Sequence, residues 1–103
     1  MIWWIYGESG AGKSTLAERI MRTGDCVLLD GDEMRKTICK DLGFSEKDRR
    51  ENNIRIAHLA KIFKDNWKSV VVTTICPYED LRQEVYWICK CRFVKVEGKH
   101  EEL

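Results

Sequence analysis

The residues best suited to chemistry lie near the start of the sequence, in Gly7-Glu8-Ser9-Gly10-Ala11-Gly12-Lys13-Ser14-Thr15. This segment fits the pattern G-x-x-x-x-G-K-[ST], in which glycines let successive backbone N–H groups turn inward and form an anion nest. Lys13 can reach the β- and γ-phosphates, the Ser14 hydroxyl can ligate Mg²⁺, and Thr15 is a second contact, to the α-phosphate. The pattern predicts a nucleoside triphosphate site formed by Gly7, Ser9, Gly10, Ala11, Gly12, Lys13, Ser14 and Thr15.

The flanking residues decide between a phosphate loop and a glycine-rich turn that binds nothing. Before the segment, 2–6 is a continuous apolar run, as expected of a parallel strand covered on both faces. After it, 12–22 carries an apolar stripe typical of an amphipathic helix, whose positive N-terminal end would favour an anion. Both flanks therefore favour the phosphate-binding interpretation.

Two aspartates follow the next apolar run, 26–29, which we predict to be a second buried strand. A strand that ends in an aspartate is typical of a carboxylate that orders Mg²⁺, so Asp30 and Ser14 are the predicted metal ligands. Asp32 has two interpretations that are compatible with each other. It can be the N-cap of a helix that extends to about residue 42, or a catalytic carboxylate.

The second half of the sequence predicts two more helices. Ser45-x-x-Asp48 resembles a capping box and opens a helix to about residue 66, whose broad apolar face extends to Trp67. The first turns of this helix are rich in polar side chains, which indicate either a solvated helix start or part of a site. Pro77 is predicted to be the first residue of the last helix.

Two further strands complete a predicted parallel sheet. The β-branched run 70–75 is typical of a strand, and the alternating 92–96 is typical of a half-exposed edge strand. Strands that alternate with helices predict a single α/β domain over 1–103, with a P-loop NTPase-like parallel sheet of about four strands. Gly7, Asp30 and Ile75 each follow a strand, so their loops should converge on the rim where such sheets bind ligands.

Composition sets bounds on partners and location. The 103 residues include 18 basic and 17 acidic side chains, so the net charge of +1 predicts no attraction to nucleic acid or membranes. No apolar run is long enough for a bilayer and no basic leader precedes the first strand, which together predict a cytoplasmic protein. Five cysteines without a C-x-x-C pair favour core thiols over a metal site at Cys89, Cys91 and His100. The polar tail 98–103 is expected to fray.

Read together, the segments resemble the adenylylsulfate kinase family, which phosphorylates the 3′-hydroxyl of adenosine 5′-phosphosulfate with ATP. The resemblance covers residues 2–96. It is carried by GESGAGKST at 7–15, LDGDxxR at 29–35, DLGFS at 41–45, DRxEN at 48–52, AxxAKxF at 57–63 and CPYxxxR at 76–82. The motifs occur in the order of the family and at about its spacing.

The resemblance implies ATP and Mg²⁺ as cofactors, adenosine 5′-phosphosulfate as the acceptor, and a role for each site residue. Lys13 and Asp32 would be catalytic, with Asp32 oriented toward the acceptor hydroxyl. The implied acceptor pocket consists of Asp32, of Arg35, Arg49 and Asn52 around the adenylylsulfate, of Phe44 on its adenine, and of Ile75. These types suit their tasks, since a guanidinium matches a sulfo-phosphate anion and an aromatic ring matches a purine.

The resemblance also implies differences from the family. Cys76 stands where the family usually has serine, and the basic lid, fifth strand and adenine-binding loop that follow the fourth strand in the family are absent from 1–103. We therefore expect much slower turnover, even with binding intact. Two alternatives stay open: a nucleotide-binding remnant without useful turnover, and a related small-molecule or nucleoside kinase. Because the family tends to dimerise and the edge strand invites pairing, we expect a homodimer.

Overall fold

A four-stranded sheet forms the centre of the computed structural model, which describes residues 1–98. The elements are β1 (Ile2–Tyr6), α1 (Lys13–Met21), β2 (Cys26–Asp30), α2 (Gly31–Lys36), α3 (Glu46–Asp65), β3 (Ser69–Thr74), α4 (Glu79–Cys89) and β4 (Arg92–Lys95). The strands lie in the order β2-β3-β1-β4, and every neighbouring pair is parallel. The predicted α/β fold is confirmed, whereas the predicted tail lies outside the described residues from position 99 onward.

The two central strands are buried because helices cover both of their faces. Trp4 is fully buried in the core that α3 and α4 form on one face, and Ile5 is fully buried against α1 on the other. Trp3 packs on the α1 side, so the adjacent tryptophans face opposite ways, as their positions in a strand predict. The indole N–H of Trp4 donates to the Thr74 hydroxyl at 3.0 Å, which satisfies its polar atom inside the core.

The edges of the sheet correct one strand prediction and confirm another. β2 is an edge strand, and Leu28 within it is 45% exposed, so the prediction of a second buried strand is wrong. The run of apolar residues is the same as in a central strand, but only one neighbour pairs with it. β4 lies at the opposite edge, beside β1, as its alternating pattern predicts.

The start and end of α2 also differ from the prediction. Asp30, still extended at the end of β2, is the N-cap, and its carboxylate accepts from the Glu33 N–H at 3.1 Å. The prediction that Asp32 caps this helix is therefore wrong. The helix ends at Lys36 rather than near residue 42, because Thr37 leaves the helical conformation while its hydroxyl bonds to the Glu33 carbonyl at 2.9 Å.

The start of α3 follows the predicted cap only in part. The Ser45 hydroxyl accepts from the Asp48 N–H at 3.2 Å, as a capping residue does. The Asp48 carboxylate, however, accepts from the Gly43 N–H at 2.7 Å instead of returning to the N–H of Ser45. The cap is therefore one-sided, and Asp48 ties the preceding loop to the helix.

Two predicted helix positions fall outside their helices. Trp67 lies beyond the end of α3 with φ of 69° and is 95% exposed, so its predicted place on the apolar face is wrong. Pro77 precedes Tyr78, the N-cap of α4, so the prediction that it is the first helical residue is also wrong. Within residues 1–98, no helix combines the length and the apolar character that crossing a bilayer would require.

The two tryptophan environments give a matched pair of stability tests. We expect Trp4→Phe to lower the free energy of unfolding by about 2–4 kcal/mol, because it leaves a void and removes the partner of the buried Thr74 hydroxyl. Trp67→Phe should change it by less than about 0.5 kcal/mol, because the side chain lies in solvent. Urea unfolding measures both, and equal effects would contradict this packing.

Candidate functional site

The glycine-rich loop leaves β1 and enters α1 at the carboxyl-terminal rim of the sheet. α1 begins after Gly12 without a side-chain cap and without an acidic residue in its first turn. α2 and α3, by contrast, each have a capping side chain and acidic residues in the first turn. The first N–H groups of α1 are therefore left for an external acceptor, which is the arrangement that binds phosphate.

Lys13 is held against the loop that it belongs to. Its Nζ atom donates to the carbonyls of Gly7 at 2.8 Å and Glu8 at 2.9 Å. Partial burial lowers the pKa of Lys13 below its usual range, while the charges of Asp32 and Asp30 act in the opposite direction. The ammonium group thus lies in the field of both aspartates, beside the place that the loop provides for an anion.

Close backbone approach requires glycine in this loop. A Cβ atom on Gly7 would lie 2.3 Å from the carbonyl oxygen of Val96, which follows β4 and donates its own N–H to the Tyr6 carbonyl at 2.8 Å. Gly10 and Gly12 have φ of 81° and 104°, in the left-handed region that favours glycine. Both the pairing of β4 and the curvature of the loop therefore depend on these residues.

A cavity of about 210 Å³ opens beside the loop and collects residues from five parts of the chain. Its lining is Ser9, Lys13, Asp30, Gly31, Asp32, Arg35, Phe44, Arg49, Asn52, Thr73, Thr74 and Ile75. All six residues implied for an acceptor pocket are among them, together with Lys13 and Asp30. Of the other loop residues, Ser9 lines this cavity, Gly7, Gly10 and Ala11 line a neighbouring one, and Ser14 lines a groove beside β2. Gly12 and Thr15 are exposed at the start of α1.

Two arginines and one aromatic ring form the mouth of the 210 Å³ cavity. The Arg35 guanidinium lies 4.7 Å from the centroid of the Phe44 ring and donates to the Gly43 carbonyl. Arg49 Nε donates to the Phe44 carbonyl at 2.8 Å. The Phe44 side chain is 69% exposed. Each guanidinium keeps further N–H groups for an anion, and the exposed ring offers a face to a planar ligand.

The two aspartates differ in their surroundings. Asp30 accepts from the Thr73 hydroxyl at 2.6 Å with one oxygen and from the Glu33 N–H with the other. Asp32 is exposed, and its carboxylate accepts no hydrogen bond from another group within residues 1–98. Asp30 is thus fixed in place, whereas Asp32 is free to accept a proton or a hydrogen bond from a ligand.

Ser14 and Asp30 line the same groove of about 720 Å³ between α1 and β2. Between residues 1 and 98 there is no group of three or more His, Cys, Asp or Glu side chains that could hold a metal. Mg²⁺ needs few protein ligands when phosphate oxygens and water supply the others. One hydroxyl and one anchored carboxylate therefore fit a Mg²⁺ ion that arrives with a nucleotide.

Asn52 is a buried polar residue of the 210 Å³ cavity. It is 2% exposed, and its Oδ1 atom has no hydrogen-bond partner among residues 1–98. A buried amide oxygen without a partner is rare in folded proteins, and here it belongs to a side chain that lines the cavity. A ligand with a hydroxyl or amino donor would satisfy it.

Thr73 and Thr74 are site residues that the sequence reasoning missed. Thr73 anchors Asp30 through its hydroxyl, and Thr74 accepts from Trp4. Both are buried, and both line the cavity at the carboxyl end of β3. The sequence contained a signal for them, since two adjacent threonines follow three valines at the end of this strand. Polar side chains at the carboxyl end of a strand indicate the rim where ligands bind.

A glycine-rich loop that enters a helix without a side-chain cap, beside a cavity with more cationic than acidic side chains and on a parallel sheet of order β2-β3-β1-β4, is the arrangement of the P-loop kinase fold. The model of the family described as "Adenylylsulphate kinase" matches residues 1–100. The chain therefore belongs to the adenylylsulfate kinase family, as the resemblance of its motifs indicates.

Individual relatives agree with this assignment. The adenylyl-sulfate kinase of Vibrio cholerae is 48% identical over 87 residues, which are 80% of this chain and 40% of the relative. That of Geotalea daltonii is 46% identical over 90 residues, which are 82% and 44% of the two chains. This chain thus spans less than half the length of these curated relatives.

Solved structures match the fold over most of this chain. An APS kinase from Mycobacterium tuberculosis in complex with AMPPNP and APS has a TM-score of 0.76 and 31% identity, covering 91% of this chain and 59% of that one. A hexameric APS kinase from Thiobacillus denitrificans has a TM-score of 0.77 and 35% identity, and the match covers 91% of this chain and 21% of that one.

The close approach at Gly7 generates a test of the loop. We expect Gly7→Ala to weaken ATP binding at least about tenfold, because the added methyl group must displace the Val96 carbonyl and with it the loop. Gly24→Ala is the matched control, since a Cβ there meets no atom within 4 Å. Calorimetric titration with ATP measures both variants, and equal affinities would contradict the proposed constraint.

Proposed function

We propose that this chain transfers the γ-phosphoryl group of ATP to the 3′-hydroxyl of adenosine 5′-phosphosulfate and forms 3′-phosphoadenosine 5′-phosphosulfate. The observation that carries the proposal is the single cavity in which Lys13 meets all six residues expected to hold the acceptor. Membership of the family and the APS complex of a structural relative support the same acceptor.

On the donor side, the N–H groups at the start of α1 and the Lys13 ammonium would hold the polyphosphate. Lys13 would exchange its bonds to the Gly7 and Glu8 carbonyls for bonds to phosphate oxygens, so its N–H groups would stay hydrogen-bonded. Ser14 and Asp30 would hold Mg²⁺, which when bound neutralises charge on the phosphates. Positioning and charge neutralisation are then the main contributions of the protein.

On the acceptor side, each group around the cavity has a ligand of matching chemistry. Arg35 and Arg49 would bind the sulfo-phosphate anion, and Phe44 would stack on the adenine. The lining includes three cationic and two acidic side chains, so the cavity is net positive, which favours an anion. Asp32 would accept the proton of the 3′-hydroxyl as that oxygen attacks the γ-phosphorus.

The direct test is a coupled assay of ADP release by the 103-residue chain, with and without adenosine 5′-phosphosulfate. Release that depends on the acceptor supports the proposal. Nucleotide binding without release would favour a catalytically inactive nucleotide-binding protein. Release only with a sugar or nucleoside acceptor would favour a different kinase. Identification of the phosphorylated product by mass spectrometry separates transfer from ATP hydrolysis.

Lys13→Ala should abolish ATP-dependent transfer and weaken ATP binding by about tenfold or more, because no other side chain of the loop carries a positive charge. Lys40→Ala is the matched control, since Lys40 is exposed and lines neither cavity. ATP titration and the coupled assay measure both variants. Unchanged transfer in Lys13→Ala would overturn the donor site.

Asp32→Asn should keep ATP affinity within about twofold and lower kcat by about 10²–10⁴, because the amide cannot accept the hydroxyl proton. Asp25→Asn is its control, since Asp25 is exposed in the loop before β2. Steady-state kinetics in both substrates give the two numbers. A variant that retains wild-type kcat would remove Asp32 from the catalytic step.

A further inference from the structure

Residues 75–78, which we call the acceptor loop, connect β3 to α4 and contribute to the lining of two cavities at the rim. Ile75 lines both the 210 Å³ cavity and a second cavity of about 700 Å³. Any shift of the acceptor loop therefore changes the wall that both cavities share. Because Ile75 is one of the residues expected to hold the acceptor, the position of this loop affects how the acceptor is oriented for the proposed reaction.

Arg82, in the first turn of α4, contacts this loop. Its Nη1 atom donates to the Cys76 carbonyl at 2.6 Å, directly after Ile75. Its guanidinium also lies 4.5 Å from the centroid of the Tyr6 ring. Tyr6 is the last residue of β1 and immediately precedes the phosphate loop. One side chain thus connects the end of β1 with the acceptor loop.

Cys76 packs in the apolar core, and the other polar side-chain contacts to the acceptor loop are longer or lie at its far end. Asn53 Nδ2 is 3.5 Å from the Ile75 carbonyl oxygen, at the limit for a hydrogen bond. The Arg50 guanidinium lies 4.5 Å from the Tyr78 ring, at the start of α4. Arg82 is half-buried and makes no ion pair within residues 1–98. Its place is therefore set by the Cys76 carbonyl and the Tyr6 ring.

We propose that Arg82 is a positioning residue, which fixes the acceptor loop and its Ile75 wall relative to the phosphate loop. The inference rests on the proposed function for its kinetic consequence, but the structural part is independent of it. Arg82 lines the 700 Å³ cavity and is absent from the lining of the 210 Å³ cavity, so it acts on the acceptor through Ile75.

Arg82→Gln removes the charge and the cation that lies over the Tyr6 ring, and Arg82→Lys keeps the charge and an ammonium donor group. We expect Arg82→Gln to raise KM for adenosine 5′-phosphosulfate about tenfold, the size of one lost charge-assisted hydrogen bond. The affinity for ATP should change less than about threefold, because the loop amides and Lys13 are untouched. Arg82→Lys should restore part of the difference, since Lys can still reach a carbonyl but has no planar face.

Arg92→Gln is the matched control. The Arg92 guanidinium also lies over an aromatic ring of β1, 5.6 Å from the centroid of Trp3, but at the opposite end of the sheet. Arg92→Gln should leave both the KM for adenosine 5′-phosphosulfate and the affinity for ATP unchanged. Equal effects of the two Gln variants would show that Arg82 acts only through general stability.

Alkylation of Cys76 tests the loop without any enzymatic activity. Cys76 is 1% exposed, and burial raises the pKa of its thiol to about 12, against the opposing charges of Arg82 and Arg50. If the loop stayed in place, loss of the Arg82 charge would raise this pKa further and slow alkylation. If Arg82 holds the loop, Arg82→Gln releases it, exposes the thiol and accelerates alkylation. The two cases therefore predict opposite changes in the rate of Cys76 alkylation.

The measurement is a timed iodoacetamide pulse at pH 8 with quantification of the Cys76 peptide by mass spectrometry. Far-UV circular dichroism confirms that each variant is folded, and Arg82→Lys replaces Arg82→Gln if the latter is not. Slower or unchanged alkylation overturns the positioning role. Absence of adenosine 5′-phosphosulfate binding by the wild type would instead overturn the proposed function and leave the alkylation result valid.

Discussion

The parallel pairing of β1 with β3 is the constraint on which the rest of the structure depends. Its register places Tyr6 opposite Thr74, so the phosphate loop and the acceptor loop leave the sheet side by side. The pairing of β2 with β3 then sets Asp30 opposite Thr73, which holds its carboxylate. A shift of one residue would turn Trp4 from the core to the opposite face and separate these loop ends.

The charged groups at the rim follow from this arrangement. Lys13 is paired with loop carbonyls, and Arg35 and Arg49 bond to carbonyls of the 43–44 turn. Each cation is thereby held in place at the cavity by an uncharged partner. Within residues 1–98, none of these three cations forms an ion pair with a carboxylate. Their positive charge therefore suits a site for two anionic ligands. The aspartates contribute differently, one anchored by Thr73 and the other free.

The predictions from sequence that the structure contradicts have a common physical cause. Cys26–Asp30 has the apolar pattern of a central strand, but the order of the strands placed it at an edge. Trp67 continues the spacing of the apolar face of α3, but the helix ends at Asp65, so the side chain points to solvent. Asp32 has the composition of a cap, whereas the extended backbone before the helix belongs to Asp30. A local pattern indicates which conformations and environments a segment can adopt, and the contacts with neighbouring segments decide which of them it adopts.

The sequence by itself determined the strands, the phosphate loop and the rim that the loops share, because hydrophobic periodicity and glycine spacing are local properties. The family resemblance also supplied six of the residues that line the 210 Å³ cavity. Only the tertiary structure decided that Thr73 anchors Asp30, that the buried Asn52 oxygen has no partner in the described part of the chain, and that Arg82 connects Tyr6 to the Cys76 carbonyl. The bond between Thr73 and Asp30 joins residues 43 positions apart, the Asn52 oxygen depends on burial, and Arg82 reaches from α4 to the end of β1, so no local pattern contains this information.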